Sequence, residues 1–239
     1  MSDVFFVFSP GRSGSTSFTR YLRYAKNADI FHEPVGGTQC YLEGIAENQK
    51  LGYPFSTREI FEGFRKEAID LTLAKGLKYG ELTPMLSYCA QGALEAYPDA
   101  KVIWLLRNPG AWIRSAGHTN FADGDFTGLC KHWLDFMLHI YAGYQLADRN
   151  NRRIIKVEAL TAEVRYEVYR WLGLEPQHDG AVDWMKQEFK EHTYSGPKWM
   201  PKPENWTDEQ WTAYNGIIAP GLANIMGMYE VEGWHKMAD

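Results

Sequence analysis

Continuous apolar runs alternate with helix-like segments along this sequence. Val4–Phe8 and Val102–Leu106 are unbroken apolar runs, and they predict strands buried on both faces at Val4–Phe8 and Lys101–Leu106. Three further short strands are predicted at Asp29–Phe31, Lys78–Glu81 and Arg153–Val157. Strands that alternate with helices imply a parallel sheet covered on both sides, so we expect a three-layer α/β/α fold with a central parallel sheet.

Apolar residues recur at helical spacing between these strands. The predicted helices cover residues 18–24, 57–75, 84–97, 109–117, 129–144, 161–172 and 207–229. In the second of them, the predicted apolar face consists of Phe61, Phe64, Ala68 and Leu71. Residues 35–56 and 193–206 are rich in glycine or proline and are predicted to be irregular. No repeat or linker interrupts the pattern, and we expect one domain over residues 1–239.

Composition and charge narrow the class of protein. The 239 residues are 45% hydrophobic and 23% charged, which is typical of a soluble globular domain. A net charge of -5 argues against nucleic acid and anionic membrane surfaces as general partners. The first apolar run is too short for a signal peptide or an anchor. The three cysteines, Cys40, Cys89 and Cys130, form no metal or disulfide pattern and suit a reducing compartment, so we expect a cytoplasmic protein.

The segment Ser9–Ser17 carries the strongest chemical signal. It places glycines and serines between a buried strand and a helix, an arrangement in which backbone N–H groups and the helix dipole converge on one anion. A nucleoside triphosphate loop reads G-x-x-x-x-G-K-[ST]. Here Ser9 replaces the first glycine, Ser15 replaces the lysine, and the cation Arg12 precedes Gly14 by two residues. The segment therefore predicts a phosphate or sulfate cradle of altered, P-loop-like type.

A second cationic segment follows the strand Lys101–Leu106. Arg107 leaves the strand end, Asn108 and Pro109 suit a helix start, and Ser115 follows about two turns later. A guanidinium is a bidentate phosphate ligand, and the serine hydroxyl can donate to the same group. In parallel sheets ligands bind beyond the carboxyl ends of the strands, so this segment and the first loop are expected to share one crevice.

Several segments resemble sulfotransferases that use 3′-phosphoadenosine 5′-phosphosulfate (PAPS), in the style of bacterial and carbohydrate-type members. Pro10–Ser17 is similar to the family's 5′-phosphosulfate loop, and Arg107–Ser115 is similar to its 3′-phosphate segment. Weaker similarities lie at 79–84, 97–101, 157–160 and 171–174. The family's lysine between Glu81 and Thr83 is missing, and its glycine-rich C-terminal motif has no clear match, although Lys198 or Lys202 could substitute.

The resemblance implies transfer of a sulfuryl group from PAPS to a hydroxyl or amine by in-line displacement, with no metal. Arg12 would stabilise the leaving oxygen, and the cradle would hold the 5′-phosphate. The implied donor-binding residues are Gly11, Arg12, Ser13, Gly14, Ser15, Thr16, Ser17, Arg107, Ser115 and Lys198.

A base must take the acceptor proton, and three residues are candidates. Glu33 is favoured, because Pro34 holds it extended at a strand exit and the resemblance places a glutamate in a similar setting. His32 is the second candidate, since its unperturbed pKa near 6.5 suits proton transfer at neutral pH. His118 is the third, and Glu81 is expected to position loops or substrate.

Two other functions remain open from the sequence. A P-loop kinase of a small molecule would need a lysine at position 15 and an aspartate near Arg107. A non-catalytic nucleotide-binding regulator would bind the nucleotide without transferring any group. The acceptor is expected to be a small molecule or a glycan, and the oligomeric state cannot be read. Aromatic residues such as Trp112 and Trp206 either line an acceptor pocket or, as we favour, pack in the core.

Overall fold

The computed structural model describes residues 2–32, 57–117, 125–177 and 203–226. Its sheet is formed by β1 (Val4–Phe8), β2 (Ala28–Phe31), β3 (Lys78–Glu81), β4 (Lys101–Leu106) and β5 (Arg152–Lys156). All pairings are parallel, and the strands are ordered β2-β3-β1-β4-β5. The predicted central parallel sheet is confirmed.

Helices connect these strands and cover both faces of the sheet. They are α1 (Ser15–Leu22), α2 (Arg58–Ala74), α3 (Ala90–Ala96), α4 (Pro109–Ala116), α5 (Phe126–Leu146), α6 (Ala162–Leu172) and α7 (Asp208–Met226). Short 3-10 turns occur at Pro84–Cys89, Arg149–Asn151, Val157–Ala159 and Pro203–Asn205. Within the residues described, every helix is too short or too polar to cross a lipid bilayer.

The core consists of two apolar layers, one on each face of the sheet. Phe5 and Val7 of β1 pack with α1 and α6, whereas Phe6 and Phe8 pack with α2, α3, α5 and α7. All five residues of β1 and all six of β4 are buried. Both strands therefore lie between helices on both faces, as their unbroken apolar runs predict.

The strand order creates a switch point between β1 and β4. From β1 the chain first builds β2 and β3 on one side, and then crosses to β4 on the other side. The connections that leave β1 and β4 thus run to opposite sides of the sheet, which opens a crevice at the carboxyl ends of these two strands. Both cationic segments predicted from the sequence begin at this crevice.

Among the differences from the sequence prediction are two helix starts and the buried face of α2. Helix α1 begins at Ser15 rather than Phe18, because Gly14 already supplies the helix start. The predicted helix 84–97 begins with the 3-10 turn Pro84–Cys89. Leu71, predicted on the buried face of α2, is 57% exposed, because Ile69 and Thr72 occupy that face.

Cys89 and Cys130 are buried free thiols. Burial, with a smaller contribution from the nearby Asp125, raises the pKa of Cys130 to about 12, so this thiol stays protonated at neutral pH. Cys40, the predicted irregular segment 35–56 and most of the segment 193–206 lie outside the described residues.

Candidate active site

The loop between β1 and α1 has the backbone of an anion cradle. Arg12 has a φ of 64° and Gly14 a φ of 74°, while the residue between them has no positive φ. Such alternation turns consecutive backbone N–H groups toward one side, where they form a concave anion site. Glycine adopts this conformation readily, whereas for Arg12 it carries a steric cost.

Helix α1 adds its N-terminus to the cradle. Gly14 is the N-cap, and the first backbone bond of the helix runs from the Phe18 N–H to the Gly14 carbonyl oxygen, 2.9 Å away. The N–H groups of Ser15, Thr16 and Ser17 precede that bond. N–H groups at this position of a helix point along its axis and bind anions, supported by the helix dipole.

The carbonyl groups of the loop are held by other parts of the protein. The Ser87 hydroxyl donates to the Ser9 carbonyl at 2.8 Å and accepts the Ser9 N–H at 3.1 Å. The Trp112 indole N–H donates to the Gly11 carbonyl. Arg107 donates from Nη1 to the Arg12 carbonyl at 2.6 Å. These bonds hold three carbonyl groups of the loop through side chains from other parts of the protein.

The second cationic segment meets the first loop directly. Asn108 is the N-cap of α4, where its Oδ1 accepts the Ala111 N–H at 3.2 Å, and Pro109 follows as the first helical residue. Ser115 lies two turns further on, and its Oγ accepts a hydrogen bond from Arg12 Nε at 3.3 Å. The structure therefore brings Arg12, Arg107 and Ser115 together, as the sequence predicts.

His32 follows β2 and lies against the first turn of α1. Its Nε2 is 3.3 Å from Ser15 Oγ and 3.5 Å from Thr16 Oγ1. The exit of β2 thus reaches the same crevice as the exits of β1 and β4.

Four predicted site residues lie outside the described residues: Glu33, His118, Lys198 and Lys202. Among the residues that the structure does describe, no three acidic, histidine or cysteine side chains lie together as a metal site would require.

Glu81, at the exit of β3, belongs to a closed network. Its carboxylate accepts hydrogen bonds from Arg65 Nε at 2.8 Å and Arg65 Nη2 at 3.0 Å. It also accepts the Tyr79 hydroxyl at 2.7 Å and the Thr83 hydroxyl at 3.0 Å. Glu81 is fully buried. Burial of the Tyr79 hydroxyl, together with the nearby negative charge of Glu81, raises the pKa of this hydroxyl well above its usual range. This geometry fits a loop-positioning role for Glu81.

Sequence reasoning missed Ser87 and Arg65, and it assigned Trp112 only to packing or to a pocket wall. Trp112 is fully buried as favoured, but its indole also supports the loop. A buried indole N–H needs a hydrogen-bond acceptor, and this requirement is the one sequence signal for a loop-supporting role of Trp112. Ser87 and Arg65 carry no comparable signal, because their partners are remote in sequence.

Comparison with known protein families identifies the family of this chain. A family model described as "Sulfotransferase domain" matches residues 5–192, which include both cationic segments. The chain therefore belongs to the sulfotransferase domain family. A comparison with curated proteins gives no match.

Solved structures share the fold at low sequence identity. A sulfotransferase from Alicyclobacillus acidocaldarius is 16% identical with a TM-score of 0.58, and the match covers 99% of both chains. Sulfotransferase STF9 from Mycobacterium avium is 14% identical with a TM-score of 0.53, and 97% of this chain matches 78% of that one. Mouse sulfotransferase SULT7A1 complexed with PAP is 14% identical with a TM-score of 0.52, and the match covers 96% and 85% of the two chains.

Proposed function

We propose that this protein transfers a sulfuryl group from PAPS to a hydroxyl or amine of a small-molecule or glycan acceptor. The observation that carries the proposal is the joining of the two cationic segments, in which Arg12 reaches Ser115 and Arg107 reaches the Arg12 carbonyl. A donor with charged groups at both its 5′ and 3′ positions needs two such segments at a fixed separation. The complex of mouse SULT7A1 with PAP agrees with a nucleotide of this kind.

The 5′ end of the donor would lie in the cradle. The N–H groups that precede Phe18 in α1, and the hydroxyls of Ser15 and Thr16, would hold its phosphate. Arg12 would stabilise the charge that develops on the leaving oxygen. Arg107 and Ser115 would hold the 3′-phosphate.

One buried polar atom supports this fit. Ser13 is fully buried in the loop, and its Oγ has no hydrogen-bond partner among the described residues. A buried hydroxyl without a partner is costly, so such atoms mark places where a ligand or water completes the bonding. An anion oxygen in the cradle would supply an acceptor for this hydroxyl.

For the base we propose Glu33, which directly follows His32 in sequence. The contacts of His32 with the hydroxyls of Ser15 and Thr16, which we propose bind the 5′ end of the donor, support a base in this part of the sequence. The base would take the proton of the acceptor during transfer. His32 itself and His118 are the alternatives.

Selective nucleotide binding tests the donor. PAP, here 3′-phosphoadenosine 5′-phosphate, and AMP differ only by the 3′-phosphate. Without magnesium, PAP at 100 times its dissociation constant should stabilise the protein by about 2.7 kcal/mol. For a chain of this size that is about 5–10 °C in Tm, whereas AMP, ADP and ATP should shift it much less.

The matched variants are Arg107→Ala and Arg114→Ala, which remove the same charge from adjacent parts of the β4–α4 segment. Arg107→Ala should weaken PAP binding about 10-fold to 100-fold, as expected for lost charge-assisted hydrogen bonds, and Arg114→Ala should not. Stabilisation by ATP and magnesium in preference to PAP would instead favour a kinase. PAP binding without transfer to any acceptor would favour a regulator.

A further inference from the structure

One short turn contacts both halves of the candidate site. Strand β5 pairs with β4 in a register that places Leu106 beside Lys156, so the residues that follow the two strands also run side by side. The chain after β5 forms the 3-10 turn Val157–Ala159. Val157 Cγ1 lies 3.6 Å from the position that a Cβ atom on Gly14 would occupy, so this turn also borders the first loop.

Glu158, in the same turn, binds the second segment. Its Oε1 accepts the backbone N–H of Asn108 at 2.8 Å. That N–H belongs to the peptide group directly after Arg107, and Asn108 is the N-cap of the helix that carries Ser115. The carboxylate also lies at the N-terminus of α4, where the helix dipole favours a negative charge.

This bond fixes the direction in which the chain leaves β4. The peptide plane between Arg107 and Asn108 determines both where the Arg107 side chain originates and where α4 starts. Without the bond, the N–H of Asn108 would bind water, and the orientation of this plane would rest on Pro109 and the Asn108 cap alone.

We propose that Glu158 is a positioning residue for the 3′-phosphate subsite, acting through the Asn108 peptide group on Arg107 and Ser115. The inference rests on the proposed function, because it concerns the end of the donor that Arg107 would hold. Glu158 adds a negative charge near a site for anions, so its contribution must come from the hydrogen bond rather than from attraction to the ligand.

The bond and the charge are separable by substitution. Glu158→Gln keeps an oxygen that accepts the Asn108 N–H but removes the charge, whereas Glu158→Ala removes both. Glu167→Ala is the matched control, because it deletes an exposed carboxylate from α6 that belongs to neither cationic segment. Calorimetric titration of the full chain with PAP and with AMP gives the ratio of the two dissociation constants for each variant.

Glu158→Ala should weaken PAP binding about threefold to tenfold, as for the loss of one hydrogen bond, and leave AMP binding nearly unchanged. Glu158→Gln should keep at least the wild-type preference for PAP over AMP, because it keeps the bond and removes a charge that repels the phosphate, and Glu167→Ala should leave the preference unchanged. An unchanged ratio in Glu158→Ala, or an equal loss in Glu158→Gln, would overturn the proposal.

A wild-type protein that binds PAP no better than AMP would overturn the proposed function instead, and with it the role of Glu158 in binding the 3′-phosphate. Amide hydrogen exchange at Asn108 then reports on the bond itself. Faster exchange in Glu158→Ala than in Glu158→Gln is expected from the geometry, and equal rates would refute the bond as well.

Discussion

The exits of β3 and of the β1–β4 pair both hold arginine side chains, but they use them in opposite ways. At the β3 exit, Arg65 makes two hydrogen bonds to the fully buried carboxylate of Glu81. At the β1–β4 exit, Arg12 donates to a serine hydroxyl and Arg107 to a backbone carbonyl, and both side chains are only half-buried. Neither of these two contacts neutralises the guanidinium.

The difference separates an arginine that is paired with a buried carboxylate from two arginines that we propose to bind the donor. A carboxylate that accepts four hydrogen bonds in a sealed site has no capacity left for a ligand, so the β3 exit shapes the loop that leads to Ser87. The contacts of Arg12 with the Ser115 hydroxyl and of Arg107 with the Arg12 carbonyl, in contrast, orient the two guanidinium groups without neutralising them. Position at a strand exit therefore does not by itself separate the two kinds of arginine.

The largest effect is expected from breaking the closed pair. Arg65→Met leaves the buried Glu81 carboxylate without its cation, which typically costs about 3–5 kcal/mol of the free energy of unfolding. Lys66→Met is the control, since Lys66 pairs with Asp70 on the exposed side of the same helix. Urea denaturation should show a large loss for the first variant and little change for the second. Equal losses would mean that the buried pair has no special role.

Arg12→Ala should cost turnover rather than stability. Loss of one group that stabilises the developing charge reduces the rate by about 10²–10³, while the cradle N–H groups still bind PAP. Arg20→Ala, on the exposed surface of α1, is the control. Steady-state kinetics with a sulfuryl acceptor, alongside PAP titration, would separate the two effects.

Full PAP affinity with no turnover in Arg12→Ala would strengthen the contrast between the two exits, whereas unchanged turnover would remove Arg12 from the mechanism.

Glu33→Gln offers a second check. It should abolish turnover in a folded protein, and retained activity would shift the role of base to His32 or His118.

The smallest effect concerns the pH dependence of stability and involves two histidines of α5, which belong to neither strand exit. Burial lowers the pKa of His132 and His139 below the usual value, and the nearby Asp135 offsets this only in part. The unfolded chain therefore binds more protons as the pH falls below about 6.5, so stability declines from there down to the folded-state pKa values.

Melting curves between pH 8 and pH 5 should show this decline, with a Tm change of a few degrees, roughly 2–4 °C per kcal/mol. A variant with both histidines replaced by glutamine should have a shallower decline. Identical pH profiles would assign the acid sensitivity to other groups.

The sequence predicted the parts of the fold and site that depend on local patterns. The strands predicted at Val4–Phe8 and Lys101–Leu106 match β1 and β4 residue for residue. The turn at Ser9–Ser17 and the strand exit at Arg107 were identified because small residues and cations directly after buried strands are typical of anion-binding turns.

What could not be predicted depends on partners that are distant in sequence. The bond from Arg107 to the Arg12 carbonyl spans 95 residues and that from Ser87 to Ser9 spans 78, and no periodicity encodes either of them. Leu71 was misplaced for a similar reason. Helical spacing gives two neighbouring apolar stripes on α2, and only the packing of Ile69 against the sheet selects one.

Arg12 is the one residue other than glycine with a positive φ among those described, and this has a consequence for how the protein would respond to selection. A side chain in the left-handed region costs about 1–2 kcal/mol, and glycine at this position would recover part of that cost. Laboratory evolution for heat tolerance alone should therefore tend to replace Arg12 with glycine, and with it erase the proposed catalytic cation. Persistence of arginine at this bend under such a regime would mean that the fold itself depends on it.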